Sequence, residues 1–464
     1  MAKRGQPNKF NSTRVAPPRD RKVRWVIMKP TPPLVQRMPD GTLKHVNPFT
    51  GTEVWTVPSR AHRPFPRSSP LPAKPLKPRP IEDHCDFCRA HYLKTPPEKS
   101  RVLLLPRGGS FALDRLAPSL VSGSEAAFRC FANLFEIVTL DYWAKNHGYR
   151  LPETLAAWKR AYLADPAGKR HVENLLATKL RLAGRNPRTT PAALKRSLLD
   201  AFFGGSHDLV VSGRHFAPGA RDEGDLYSSG SMPPDDHAVF LRFTVKAMSS
   251  IYERNPHVRF VTVFQNWLKP AGASFDHLHK QLVGLDEWGV SIERETEMVR
   301  KRPDAYNELL TNPARRLDVV VAENEGAVVL SEFGHRYPTL GVYSKSRSAR
   351  PEEHGDRDFR HVSDLVHACH AAMGPRIPCN EEWYFSPRHA RTPMPWHILI
   401  KWRTLNQAGF EGNTKIYINP VSPWDLKNDM VLRLRDARRR GRLAAGIRVG
   451  RECRMKRNAL QYAR

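Results

Sequence analysis

Between residues 207 and 402 the chain runs twice through one order of elements. Strand-like HDLVVSGRHF (207–216), an amphipathic helical stretch at DDHAVFLRFTVKAMSSIYERN, and strand-like VRFVTVFQNW and FDHLHKQLVG come first. DVVVAEN, AVVLSEF, a helical FRHVSDLVHACHAAMG, and strands at EEWYFSPRH and PWHILIKWR follow. Apolar residues alternate or run continuously in the strands and recur every three to four residues in the helices. The mixture defines an α+β protein, and its repetition predicts two related halves with little sequence identity.

The rest of the chain surrounds this repeat. VRWVIMKP (23–30) and TEVWTVPS (52–59) read as strands of one sheet. PFPRSSPLPAKPLKPRP (64–80) is too proline-rich for a helix or an inner strand and is expected as an extended connector. From about 115 to 200, SEAAFRCFANLFEIVTLDYWAKNH and VENLLATKLRLAG carry helical spacing. The expected division is a basic disordered arm (1–22), a first half (23–290) containing the helical segment, a second half (291–435) and a basic tail (436–464).

At 464 residues there is room for a large core, while 40% hydrophobic residues and 40 prolines predict that part of the chain stays unpacked. The formal net charge of +29, concentrated toward both ends, predicts attraction to polyanions: nucleic acid, anionic membrane or phosphorylated small molecules. Solvated tails are the plainer reading of those ends. No apolar run suits a signal peptide or a membrane span, which predicts a cytoplasmic protein without membrane contact. Six cysteines, with only Cys85 and Cys88 closely spaced, suit a reducing compartment better than a disulfide framework.

The chemistry concentrates in GASFDHLHKQLVG (272–284). In a strand His277, His279 and Gln281 fall on one face and Leu278 and Lys280 on the other. A neutral imidazole at His279 can attack phosphorus and hold a nucleotidyl group, and Gln281 can donate to a phosphoryl oxygen as charge develops. The plainer alternative is two satisfied histidines on a half-buried strand. Upstream, Asn266, Gly272 and Ser274 offer a donor and small residues where a phosphate chain could approach the backbone. Cys85-Asp86-Phe87-Cys88 has the spacing of two thiolates on one zinc ion, with His215 and His277 or the nearer His84 and His91 completing the set. A redox disulfide and unliganded thiols are the competing readings.

Together these segments resemble the galactose-1-phosphate uridylyltransferase family of the histidine-triad superfamily. The resemblance begins at NPFTGTEVWTVPSRAHRPF (47–65), continues through CDFC, HDLVVSGRH, NPHVRFVTVFQNW and SFDHLHKQ, and reaches PWHILIKWRTLNQAGFEGNTKIYINPVSP (395–423). It implies two histidine-triad-like halves, each an antiparallel sheet flanked by helices, with the helical segment as an insertion. It implies one zinc on Cys85, Cys88, His215 and His277, His279 as the uridylylated nucleophile, and Asn266, Gly272, Ser274 and Gln281 on the phosphates. Arg60 or Arg63 would lie near the nucleotide, and a homodimer is a common assembly in the family. The implied activity moves UMP from a UDP-sugar to a sugar 1-phosphate.

Some residues depart from the family pattern. Leu278 stands where the family has proline between the histidines, and Lys280 where it has glycine, which suggests a cation beside the site. In the second half one histidine of the pair is Pro395, which argues against the second metal site that His389, His397 and Glu295 would build. Two alternatives accompany the transferase reading. One is a phosphorylase that cleaves a nucleotide sugar or dinucleoside polyphosphate through the same histidine. The other is a nucleic-acid-binding protein with a repurposed site, bound through the basic ends.

Overall fold

A computed structural model describes residues 33–61, 74–106, 108–404 and 407–463, excluding the side chains of residues 60, 61 and 122. The basic arm, the expected strand at 23–30, most of the proline-rich connector and Arg63 lie outside the described residues, as does the side chain of Arg60.

Among the described residues twelve strands form one sheet, antiparallel at every pairing. Its central strands lie in the order His207–Ser212, His279–Leu285, Phe260–Trp267, Cys379–Tyr384, His397–Trp402 and Thr339–Ser344. The two halves are therefore not separate sheets: they join where Phe260–Trp267 pairs with Cys379–Tyr384. In each half a strand leads through a long helix to the central strand and then to the one beside it. The first half does this through Pro234–Arg254 and the second through Asp356–Met373. The order is symmetric about the junction, and the repeat read from the sequence is an approximate two-fold relation within one sheet.

Burial alternates along these strands. Val261, Val263 and Gln265 are buried while Thr262, Phe264 and Asn266 are partly open; Glu381 and Trp383 are buried while Glu382 and Tyr384 are partly open. The closed face carries the two long helices, and its residues belong to one core cluster that spans both halves. The other face is the partly open one, and with a period of two it receives His279 and Gln281 together.

Lys280 consequently sits on the closed face, fully buried, and not beside the site as the sequence suggested. Its ammonium donates to Glu381 at 2.5 Å and to Gln265 at 3.1 Å. His370 and the Trp383 indole also donate to Glu381. Burial alone would raise the Glu381 carboxyl, but Lys280 and His370 hold it well below the usual range. Lys280 and Glu381 come from different halves, so the pair fastens the junction from beneath.

The expected helical segment is interrupted. Phe128–Ala132, expected as helix from its apolar spacing, is a strand buried along its whole length beside His207–Ser212. A strand covered on both faces reads as a continuous apolar run and hides its period. Leu140–His147, Glu153–Ala164, Pro166–Leu182 and Ala192–Gly204 are helical as expected, and the last three share a small core of their own around Trp158, Tyr162, Leu175 and Phe203. A four-stranded sheet contains Glu53–Thr56, pairing it in parallel with Ile416–Ile418.

The C-terminal stretch also differs from a solvated tail. Arg448–Val449 pairs with Val320–Glu323, and Leu460 and Tyr462 are 1% and 2% exposed. No helix among the described residues is long and apolar enough to cross a membrane.

Removing one partner of a buried ion pair leaves the other charge uncompensated. Glu381→Ala should lower the unfolding free energy by about 3–5 kcal/mol, measured by urea denaturation. The double variant Lys280→Met/Glu381→Leu should lose less.

Candidate functional site

His277 lies two residues ahead of His279, the first residue of its strand, and the loop from Leu268 to Leu278 brings both histidines to the partly open face. That loop contains two left-handed positions, Leu268 at φ +67° and Gly272 at φ +90°. The second is the conformation glycine adopts without steric cost.

The loop places His277 against a tight turn from Cys85 to Cys88, closed by the Cys88 N–H donating to the Cys85 carbonyl. The two sulfurs are 3.7 Å apart, Cys85 Sγ is 3.4 Å from His277 Nδ1, and Cys88 Sγ is 3.3 Å from His215 Nδ1. A tetrahedral ion with metal–sulfur bonds of about 2.3 Å and metal–nitrogen bonds of about 2.0 Å would separate such ligands by roughly 3.3–3.8 Å. All four ligand atoms lie within 4.8 Å of one another, so the group could hold a metal ion. His277 Nε2 donates to the Ser212 carbonyl at 2.7 Å, which leaves Nδ1 unprotonated toward the sulfurs. Cys88 is held well below an ordinary thiol chiefly by the hydrogen bond from Cys85, against burial, and Cys85 is raised in return.

The nearer histidines are not part of this group. His91 bonds Asp83, and His84 packs edge-on against Phe216.

His279 is 5% exposed. Its Nδ1–H donates to the His277 carbonyl at 2.7 Å, so the lone pair is on Nε2. Burial pushes the imidazole down to about 4, so the neutral form predominates near pH 7. Phe87, between the two cysteines in sequence, packs edge-on to His279 at 5.5 Å and to His277 at 6.0 Å. It joins the cysteine turn to the reactive imidazole, a role its position between the cysteines did not reveal.

Gln281 lies two residues along the same face, opposite Leu209 on one side and Phe264 on the other. His207 Nδ1 accepts the Ile137 N–H at 3.1 Å, and its Nε2 lies 3.0 Å from the Asn133 amide nitrogen and 3.2 Å from Gln281 Oε1. That contact engages the Gln281 carbonyl oxygen and leaves its NH2 group as a donor. No sequence motif marked His207; the cross-strand register brings it to Gln281.

Asn266 is on the neighbouring strand of the same face, where its Oδ1 accepts from Asn380 at 2.7 Å. Asn380 also donates to the Ala271 carbonyl and accepts from Arg403. Asn380 and Arg403 therefore tie the second half to the loop bearing Gly272 and Ser274, both exposed. The structure thus brings Cys85, Cys88, His215 and His277 together, puts His279, Gln281 and Asn266 on one face, and has Gly272 and Ser274 exposed on the loop that precedes His277. Of the predicted site residues only the two arginines are left out, for the reason given above.

The second half repeats the imidazole alone. His397 Nδ1 donates to the Pro395 carbonyl at 2.9 Å, as His279 does to His277. At equivalent positions, Leu399 replaces Gln281, Tyr384 replaces Asn266 and Pro395 replaces His277. His397 is stacked between Tyr343 and Tyr384, with Nε2 3.8 Å from Glu295, in a cavity of about 480 Å³. Burial raises Glu295 to about 7. His389 is exposed in a different loop and does not line this cavity. Among the described residues only the cysteine–histidine group brings three or more metal-ligating side chains together.

This combination of fold and site can be set beside known proteins. The fold is shared with an ADP-glucose phosphorylase from Arabidopsis thaliana crystallised with bound ADP-glucose, at 19% identity and a TM-score of 0.53, covering 84% of this chain and 97% of that one. It is also shared with a GalT-like protein of Arabidopsis thaliana, at 18% identity and a TM-score of 0.52, covering 84% and 98%. No curated protein sequence matches the chain. The chain belongs to the family described as Domain of unknown function (DUF4921), whose pattern matches residues 38–462.

If the four ligands hold a metal, purified native protein should carry about one ion per chain by elemental analysis. Cys88→Ala should lose it and melt at a lower temperature; unchanged metal content would reject the ligand assignment.

Proposed function

We propose that the protein transfers a nucleoside monophosphate from a nucleotide sugar through a covalent intermediate on His279. The observation that carries this reading is the Nδ1–H hydrogen bond of His279 to the His277 carbonyl, which leaves Nε2 as a nucleophile on the same face as the Gln281 amide. In the first step Nε2 attacks the α-phosphorus, the bond to the bridging oxygen breaks, and the sugar 1-phosphate leaves with the bond's electron pair. In the second, a phosphate oxygen of an acceptor attacks the same phosphorus and His279 is released. Splitting the transfer this way replaces one difficult displacement with two easier ones.

Gln281, contacted by His207 at its carbonyl oxygen, donates through its NH2 to a non-bridging oxygen as charge develops. The Asn266 amide and the Gly272–Ser274 loop hold the rest of the phosphate chain, and Arg60 and Arg63 are assigned to the nucleotide by family resemblance. The two-cysteine, two-histidine donor set suits zinc, which would fix the Cys85–Cys88 turn and His277 beside the nucleophile. His277 then holds His279 through its carbonyl, so the ligand and the nucleophile are coupled through one residue's backbone.

In the transferase form the acceptor is a second sugar 1-phosphate, with UMP as the transferred group by resemblance to the uridylyltransferase family. The second reading, a phosphorylase, has inorganic phosphate as the acceptor and releases a nucleoside diphosphate. The fold likeness to an ADP-glucose phosphorylase favours keeping it.

Intact-protein mass after mixing with UDP-glucose, ADP-glucose or a dinucleoside polyphosphate tests the intermediate. Native protein should gain one nucleoside monophosphate with at least one donor, and His279→Ala should gain none while keeping its metal. Discharge by glucose 1-phosphate supports the transferase and discharge by inorganic phosphate the phosphorylase. An adduct on His279→Ala would reject the mechanism.

A further inference from the structure

A cavity of about 560 Å³ opens beside the reactive face, and one of its walls is the helix Pro166–Leu182 of the inserted segment. Its floor is apolar: Phe87 and Phe275 lie with ring centres 4.6 Å apart, next to Leu209. The floor is continuous with the reaction centre, because Phe87 also touches His279 and Leu209 is the cross-strand neighbour of Gln281. Neighbouring strands are about 4.8 Å apart. Leu209 and the next strand's Phe131, another lining residue, thus begin roughly 5–10 Å from the Gln281 backbone. That is the reach of a ribose from a phosphate held at His279 and Gln281.

The wall is built with the same economy. Asn174, Thr178 and Leu182 follow one another at four-residue intervals and form one stripe of the helix facing the cavity. Asp165 caps the helix by accepting from the Ala167 and Gly168 N–H groups, and Leu175 and Leu180 anchor it in the insertion's own core. The stripe is therefore held in place without any ligand. Leu182 is 66% exposed and Phe135, across the mouth, 59% exposed. Large apolar side chains left open around a mainly apolar cavity, whose polar lining includes Asn133 and the Lys94–Asp86 ion pair besides Asn174 and Thr178, suit a flat ligand with a polar edge.

We propose that the inserted helix forms one wall of a nucleobase pocket, with Asn174 and Thr178 reading the edge of the base, so that the insertion selects which nucleotide is transferred. The inference rests on the nucleotidyl-transfer reading and adds its specificity. The base packs against Phe87 and Phe275, as bases do on aromatic side chains. The Asn174 amide offers both donor and acceptor to the base edge. The Thr178 hydroxyl donates to the Asn174 carbonyl at 2.9 Å and retains its capacity to accept. The phosphates remain with Asn266, Gly272, Ser274 and Gln281, so base selection and phosphate transfer are handled by separate parts of the chain.

The test compares full-length native protein with Asn174→Leu, Thr178→Val and, as a control on the same helix away from the cavity, Glu173→Gln. Rates of adduct formation are measured by intact mass with ADP-glucose, UDP-glucose and GDP-glucose at several concentrations. Asn174→Leu or Thr178→Val should change the ratio of rates between the preferred donor and the others by about tenfold, the weight of one hydrogen bond. The change should appear in the concentration dependence, with the maximal rate nearly kept, and Glu173→Gln should match native protein. Adduct formation with unchanged donor ratios in both cavity variants overturns this inference and leaves the nucleotidyl-transfer reading intact. No adduct on native protein with any donor overturns both.

Discussion

The pairing of Phe260–Trp267 with Cys379–Tyr384 is the contact on which the remaining geometry depends. It makes one sheet of two halves, and a single sheet has only two faces. Once the long helices cover one of them, every second residue of the central strands is committed to the core and every other one to the open side. His279, Gln281 and Asn266 share a face for this reason, and so do Asn380 and Arg403 from the other half. The Lys280–Glu381 pair beneath the junction belongs to the same arrangement: a charge that faces the core must find its partner there, and the partner comes from the opposite half.

The two halves use one scaffold unequally. Both retain an imidazole whose Nδ1 is bound to the carbonyl two residues before it, because that bond is local to the start of the strand. Among the described residues, only the first half has Gln281, Asn266 and a cysteine–histidine group beside it. In the second, tyrosines and a leucine occupy the equivalent positions, and a buried carboxyl faces the ring. The proposed chemistry requires the amides at the Gln281 and Asn266 positions, and the leucine and tyrosine at the equivalent positions of the second half do not supply them. The second half instead contributes to the first through Asn380, which ties Asn266 to the phosphate-side loop.

Legibility followed the range of the interactions. The alternation at His277, His279 and Gln281 and the spacing of Cys85 and Cys88 are local patterns, and the elements around them were readable from period alone. Phe128–Ala132 reads as helix in the sequence because burial on both faces removes the alternation that marks a strand. Comparison with the glycine of related sequences suggests Lys280 beside the site, although its own position in the strand points it the other way. His207 carried no signal at all, since its role comes from a register with a strand some seventy residues later.

Residue order by itself therefore determined the α+β class, the internal repeat, the candidate nucleophile and the cysteine pair, because each is written in spacings of two to four residues that backbone geometry converts directly into a shared face or turn. Only the tertiary structure decided that the halves share one sheet, that His215 and His277 complete the thiol pair while His84 and His91 do not, and that the inserted helix stands over a cavity beside His279. Those outcomes depend on strand order and register between distant segments. The energy that selects them comes from burying one whole face of the sheet, a sum over many side chains that no short stretch contains.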